Sequence, residues 1–140
     1  MFNTIPAAVG TTVQRWLRLF ILNNLNTIED RFTQRIIWGN LWQMIRDNTL
    51  SPIWYLELVE KFSNLEKDAT VLQGQMLQKS SGIKNIYLTD KNRELWSERL
   101  YHLSFENLNK GQNDQFQISW FDLLVNCAEA DKAIIDLKSI

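Results

Sequence analysis

Reactive side chains are scarce in this chain: one cysteine and one histidine occur in 140 residues, beside two prolines and five glycines. The single cysteine, Cys127, excludes an internal disulfide and fits a reducing compartment, so a cytoplasmic protein is expected. With His102 as the only histidine, and no second conventional ligand near Cys127, no metal or other cofactor is expected. A serine triad would have to be built around His102. Between Tyr101 and Leu103 in a helical stretch, that side chain reads as a surface or partly buried residue rather than a base. The glycines are scattered singly, which excludes a Gly-rich phosphate loop. No segment approaches eighteen uninterrupted apolar residues, and the opening MFNTIPAAVG carries no cationic leader, so neither a membrane span nor a signal peptide is expected.

Carboxylate chemistry has little more support. Glu57/Glu60 and Glu94/Glu98 are spaced to face the same way, as acid–base pairs are. Lys61 and Arg99 follow Glu57 and Glu94 by four and five residues, however, which is how solvated helix faces are written. No Glu-x-x-His motif occurs. A non-enzyme is the expectation.

The composition that is present is that of a globular protein. Apolar residues make up 45% and charged residues 22%, enough to bury a core without staples in a single domain spanning 1–140. Six tryptophans (Trp16, Trp38, Trp42, Trp54, Trp96 and Trp120) exceed what such a core needs, which places some of them at a contact surface. Net charge is −1, against nonspecific duplex binding as the main task. The charge is unevenly spread. Residues 1–50 carry Arg15, Arg18, Arg31, Arg35 and Arg46 against Glu29, Asp30 and Asp47, whereas 101–140 are acid-rich, with Glu106, Asp114, Asp122, Glu129, Asp131 and Asp136. Every lysine lies beyond residue 50, and arginine is the better residue for bidentate phosphate contacts.

Periodicity predicts an all-α fold, a single compact bundle of five to six helices. Thr11-Thr12-Val13-Gln14 reads as a capping box opening a helix to about Asn24, with Val13, Trp16, Leu17, Phe20 and Ile21 on one face. Thr27-Ile28-Glu29-Asp30 opens a second helix to about Asp47. Ser51-Pro52 starts a third to about Lys67, carrying Tyr55, Leu58, Val59, Phe62 and Leu65. Asp68 caps a fourth, which ends before Ser80-Ser81-Gly82, and Ile83 to Leu88 then reads as a short extended stretch. Thr89-Asp90 begins a fifth helix that fades at Asn109-Lys110-Gly111. A polar loop around Gln112 to Gln117 precedes Ser119 and a long last helix holding Leu123, Cys127, Ala130, Ile134 and Leu137.

The second helix carries the one feature that points toward function. Arg31, Arg35, Trp38 and Trp42, with Arg46 beyond, project as one stripe about 22 Å long. Guanidinium groups beside indoles are one way to hold a nucleic-acid backbone and stack on its bases, and Arg15 and Arg18 would extend the basic surface. The alternative is packing: Trp38 and Trp42 face inward with Leu41 and Ile45, while Arg31 and Arg35 pair with Glu29, Asp30 or the acidic last helix.

On this basic-aromatic helix, the Arg15/Arg18 pair and the tryptophan excess, the chain resembles the small helical-bundle subunits of CRISPR effector complexes. Its opening Met1-Phe2-Asn3 also reads as a start inside an ongoing fold. The resemblance implies a non-catalytic role in antiviral defence: a small subunit of a Cascade-like ribonucleoprotein that lines the target or displaced strand. It implies phosphate contacts from Arg15, Arg18, Arg31, Arg35 and Arg46 and aromatic contacts from Trp38 and Trp42. The partners would be other protein subunits, stacked copies of the chain itself, and DNA or RNA, without a membrane. The competing expectation is a protein-interaction adaptor or assembly factor that touches no nucleic acid and uses exposed tryptophans as hot spots. Exposed, unpaired Arg31, Arg35 and Arg46 would favour the first; pairing with acids would favour the second.

Overall fold

A computed structural model describes residues 16–21, 23–111 and 113–128. The expected capping box at Thr11 to Gln14, Arg15, and the positions Ala130, Ile134 and Leu137 lie outside the described residues. The bundle is all-α, and no strand occurs among the described residues. Helix α1 covers 16–21 and 23–24 and tightens into a 3₁₀ turn at Leu25–Thr27. Then come α2 (Arg31–Arg46), α3 (Pro52–Phe62) with a 3₁₀ turn at Ser63–Leu65, and α4 (Ala69–Val71), which passes through a π-helical segment at Leu72–Leu77 into α5 (Gln78–Ile86). Helices α6 (Asp90–Leu108) and α7 (Asp114–Cys127) complete the chain order and pack against each other most extensively.

Helix α3 is the centre of the core. Tyr55, Leu58, Val59 and Phe62 recur on one face, and Leu56 is buried beside them, so the helix is covered on more than one side. Proline at its first position brings no amide of its own to be satisfied, and Ser51 holds the N-cap backbone without a side-chain cap bond. Burial holds the Tyr55 phenol well above its usual range, and its hydroxyl donates to the Gln75 carbonyl of the π segment.

Several helix boundaries differ from expectation for identifiable reasons. Asp30, not Thr27, caps α2, accepting from the Phe32 amide at 3.1 Å and the Thr33 hydroxyl at 2.7 Å, while Thr27 turns back to the Asn24 carbonyl. At its other end Asn48, with φ 61°, closes a Schellman motif: its amide reaches the Ile45 carbonyl and that of Thr49 the Met44 carbonyl. Helix α3 stops at Phe62 rather than running to Lys67: the chain tightens into the 3₁₀ turn, Glu66 is extended, and its carboxylate accepts from the amides of Lys67 and Asp68.

The Ser80-Ser81-Gly82 run does not end a helix, and Ile83 to Ile86 is helical rather than extended. The Ser80 hydroxyl is spent on the Met76 carbonyl inside the helix, and Leu77, Ile83 and Lys84 are all buried, so packing outweighs local helix breaking. Arg93 of α6 then closes the corner, donating from Nε to the Lys84 carbonyl and from Nη2 to that of Leu88. Thr89 caps α6 as expected.

Helix α7 begins at Asp114 with Asn113 as its cap, inside the stretch expected to be a loop. It ends at Cys127, where Ala128 is extended. The buried Lys84 ammonium donates to the Asn126 carbonyl at 2.9 Å, satisfying an end that would otherwise leave a carbonyl unpaired.

Candidate interaction surface

The aromatic half of the α2 stripe faces the core. Trp38, Leu41 and Ile45 form its buried seam, and Trp38 meets Tyr55 edge to face with ring centroids 5.2 Å apart. This corrects the expected aromatic contact, since Trp38 is 1% exposed and has no face to offer a base. Trp42 sits at the margin of the seam, half-buried between the edges of Tyr55 and Tyr87, with the Lys79 ammonium 4.8 Å over its ring and Gly82 against its edge. Its outer face is already occupied by a cation.

The basic half faces outward and is partly neutralised. Asp68 presents one carboxylate oxygen to the Thr70 and Val71 amides at the start of α4, and the other to Arg35 at 3.5 Å and Arg31 at 3.8 Å. That partner is none of the acids expected, because Asp30 is occupied in capping its own helix. The guanidinium-bearing side chains stay 70% and 49% exposed for Arg31 and Arg35, against 12% for Asp68. Arg46 is exposed in the last turn of α2, where a cation suits the helix dipole, and has no ion pair among the described residues.

Arg18 behaves differently. It is half-buried, its guanidinium carbon stands 5.9 Å from the Trp54 ring centroid, and no described residue gives it a hydrogen bond or an ion pair. It lines a cleft of about 270 Å³ between α1, α2 and α3 whose walls are Leu17, Ile21, Ile36, Ile37, Leu41, Met44, Leu50 and Trp54, with Asn40 the other polar lining residue.

On α1 and α2 the outer surface is unusually apolar. Trp16 is 71% exposed, Phe20 58% and Phe32 70%, with Leu19 and Ile36 also exposed. The face of α1 expected to pack inward as a unit is therefore split: Leu17 and Ile21 turn to the cleft and Trp16 and Phe20 to solvent. Among the tryptophans, Trp38, Trp96 and Trp120 are buried, Trp42 and Trp54 half-buried, and Trp16 is the exposed one. The excess of indoles in the composition was the one signal of this surface; nothing in the residue spacing located it on α1.

Reactive groups do not converge anywhere among the described residues. No group of three or more His, Cys, Asp or Glu side chains could hold a metal there. His102 is exposed, its Nε2 3.8 Å from Glu98. Glu60, spaced to face the same way as Glu57, bridges to Arg99 of α6 through both carboxylate oxygens and so joins two helices. Burial pushes the Cys127 thiol up to about 11, with Lys84 pulling part of the way back, which leaves it protonated near neutral pH. No helix among the described residues is long and apolar enough to cross a membrane. Comparison of the chain with protein-family models, with curated proteins and with solved structures finds no match.

Proposed function

We propose that this chain is a non-catalytic protein-interaction module, an adaptor or assembly factor, that docks a partner protein on the face of α1 and α2 bearing Trp16, Phe20 and Phe32. The observation that carries this reading is the exposure of those three rings on the two helices that also line an apolar cleft, when the same bundle buries Trp38, Trp96 and Trp120 almost completely. Large rings left in water mark sites that are covered on association. The pairing of Arg31 and Arg35 with Asp68 points the same way, since it reduces the charge available to a phosphate backbone.

The strand-lining role in an RNA-guided effector complex keeps one supporting observation. Arg31 and Arg35 share one carboxylate and remain exposed, with Arg46 exposed about 22 Å along the helix from Arg31. The two readings separate in affinity purification from the native host. A partner held by the unmodified chain and lost by the triple variant Trp16→Ser, Phe20→Ser, Phe32→Ser, with helical circular dichroism intact, is the expected result. Association that is abolished by nuclease, or that follows Arg31→Ala, Arg35→Ala, Arg46→Ala instead, would move the assignment to nucleic acid. An unchanged partner set in the aromatic variant would end the docking reading.

A further inference from the structure

Arg18 is the half-buried guanidinium without a counter-charge among the described residues. Arg31, Arg35, Arg93 and Arg99 each meet a carboxylate, and Arg46 is exposed at a helix end. A partly desolvated cation with five donors and no acceptor among the described residues is an arrangement that an anion completes. The cleft it lines is otherwise almost wholly hydrocarbon, so whatever supplies the anion must also carry an apolar body.

Size narrows the choice. At about 270 Å³ the cleft stands at the small end of the range for small-molecule sites, roughly 300–1,000 Å³, which suits a hydrocarbon chain shorter than that of a membrane lipid. A terminal carboxylate on such a chain would meet the guanidinium at the partly exposed edge.

We infer that the cleft between α1, α2 and α3 binds a medium-chain fatty carboxylate, its hydrocarbon against Leu17, Ile21, Ile37 and Met44 and its head group on Arg18. The inference does not rest on partner docking, because the cleft is complete within this chain.

Sodium decanoate, used below its micellar concentration with the full chain, is the probe. Calorimetry is expected to give saturable one-to-one binding, and amide shifts in nuclear magnetic resonance spectra should centre on Leu17, Ile21, Ile37 and Met44. Decanol, which lacks the charge, should bind about tenfold more weakly, and decylamine more weakly still. Arg18→Gln should abolish the preference for decanoate over decanol while leaving decanol binding in place. Asn40→Trp, an exposed position on the cleft wall, should block both. If Arg18→Gln loses its helical spectrum, the ranking of the three probes on the unmodified chain decides the matter. No saturable decanoate binding, shifts centred elsewhere, or equal affinity for the three probes would overturn the proposal.

Discussion

At the seam between α3 and α6, the Arg99 guanidinium lies 3.9 Å from the Trp96 ring centroid and its Nε donates to Glu60 at 3.0 Å. At the junction of α1 with α3, Arg18 lies 5.9 Å from the Trp54 centroid and meets no carboxylate among the described residues. The residue types are the same and the surroundings opposite. Trp96 is 1% exposed and its arginine joins two helices, so the stack closes the structure. Trp54 is half-buried beside an open cleft, and its arginine has donors to spare. An arginine on a tryptophan is therefore not itself a sign of function; what separates a structural pair from a binding one is whether the remaining donors have found an acceptor.

The largest test of that contrast removes the rings. Trp96→Ala should lose roughly 3–5 kcal/mol, the usual cost of deleting a fully buried large ring, whereas Trp54→Ala should lose clearly less because its ring is only partly out of water. Urea unfolding followed by circular dichroism measures both. Equal losses would mean that the α1 junction is as integral to the fold as the seam, and the comparison would break.

How much of this could be read from residue order depended on the range of the interaction. Asp68 and Thr89 were legible as caps because each bonds amides two or three residues away. The continuation of α5 through Ser80-Ser81-Gly82 was not, because it depends on burying Ile83 and Lys84 against elements far along the chain. On α2 the apolar residues occur nearly all round the second half, so the choice of Trp38, Leu41 and Ile45 as the inward seam belongs to α3, which offers Tyr55. The same limit applies to the site. Arg18 was legible as a surface cation and the indole excess as a contact surface, but the stack on Trp54 and the approach of Arg35 to Asp68, 33 residues away, are products of tertiary packing.

Asp68 sharpens the comparison from the anion's side, since it serves two arginines where Arg18 meets no acid among the described residues. Asp68→Ala should cost about 1–2 kcal/mol, mostly through the lost cap on α4. Removing the cations instead, by Arg31→Ala with Arg35→Ala, should cost under about 1 kcal/mol, because these exposed, long pairs are screened by solvent. A double variant that loses as much as Asp68→Ala would mean that the arginines hold the cap in place, and that their charge is structural rather than free for a partner.

The smallest expected effects fall on the two arginines themselves and decide the comparison most directly. Arg99 and Glu60 are 40% and 33% exposed, so Arg99→Gln should destabilise by only about 1 kcal/mol despite its two-point contact and the stack on Trp96. A cycle with Glu60→Gln should recover a coupling energy for that pair, since the two side chains touch. Arg18→Gln should change stability by less than about 0.5 kcal/mol, because no hydrogen bond or ion pair with a described residue is lost. In saturating decanoate the ranking should invert: ligand stabilises the folded state with the logarithm of its affinity, so Arg18→Gln should gain less melting temperature than the unmodified chain and Arg99→Gln. If Arg18→Gln destabilises the free protein as much as Arg99→Gln does, the cation at the cleft is a structural element like its counterpart at the seam, and the contrast between the two regions disappears.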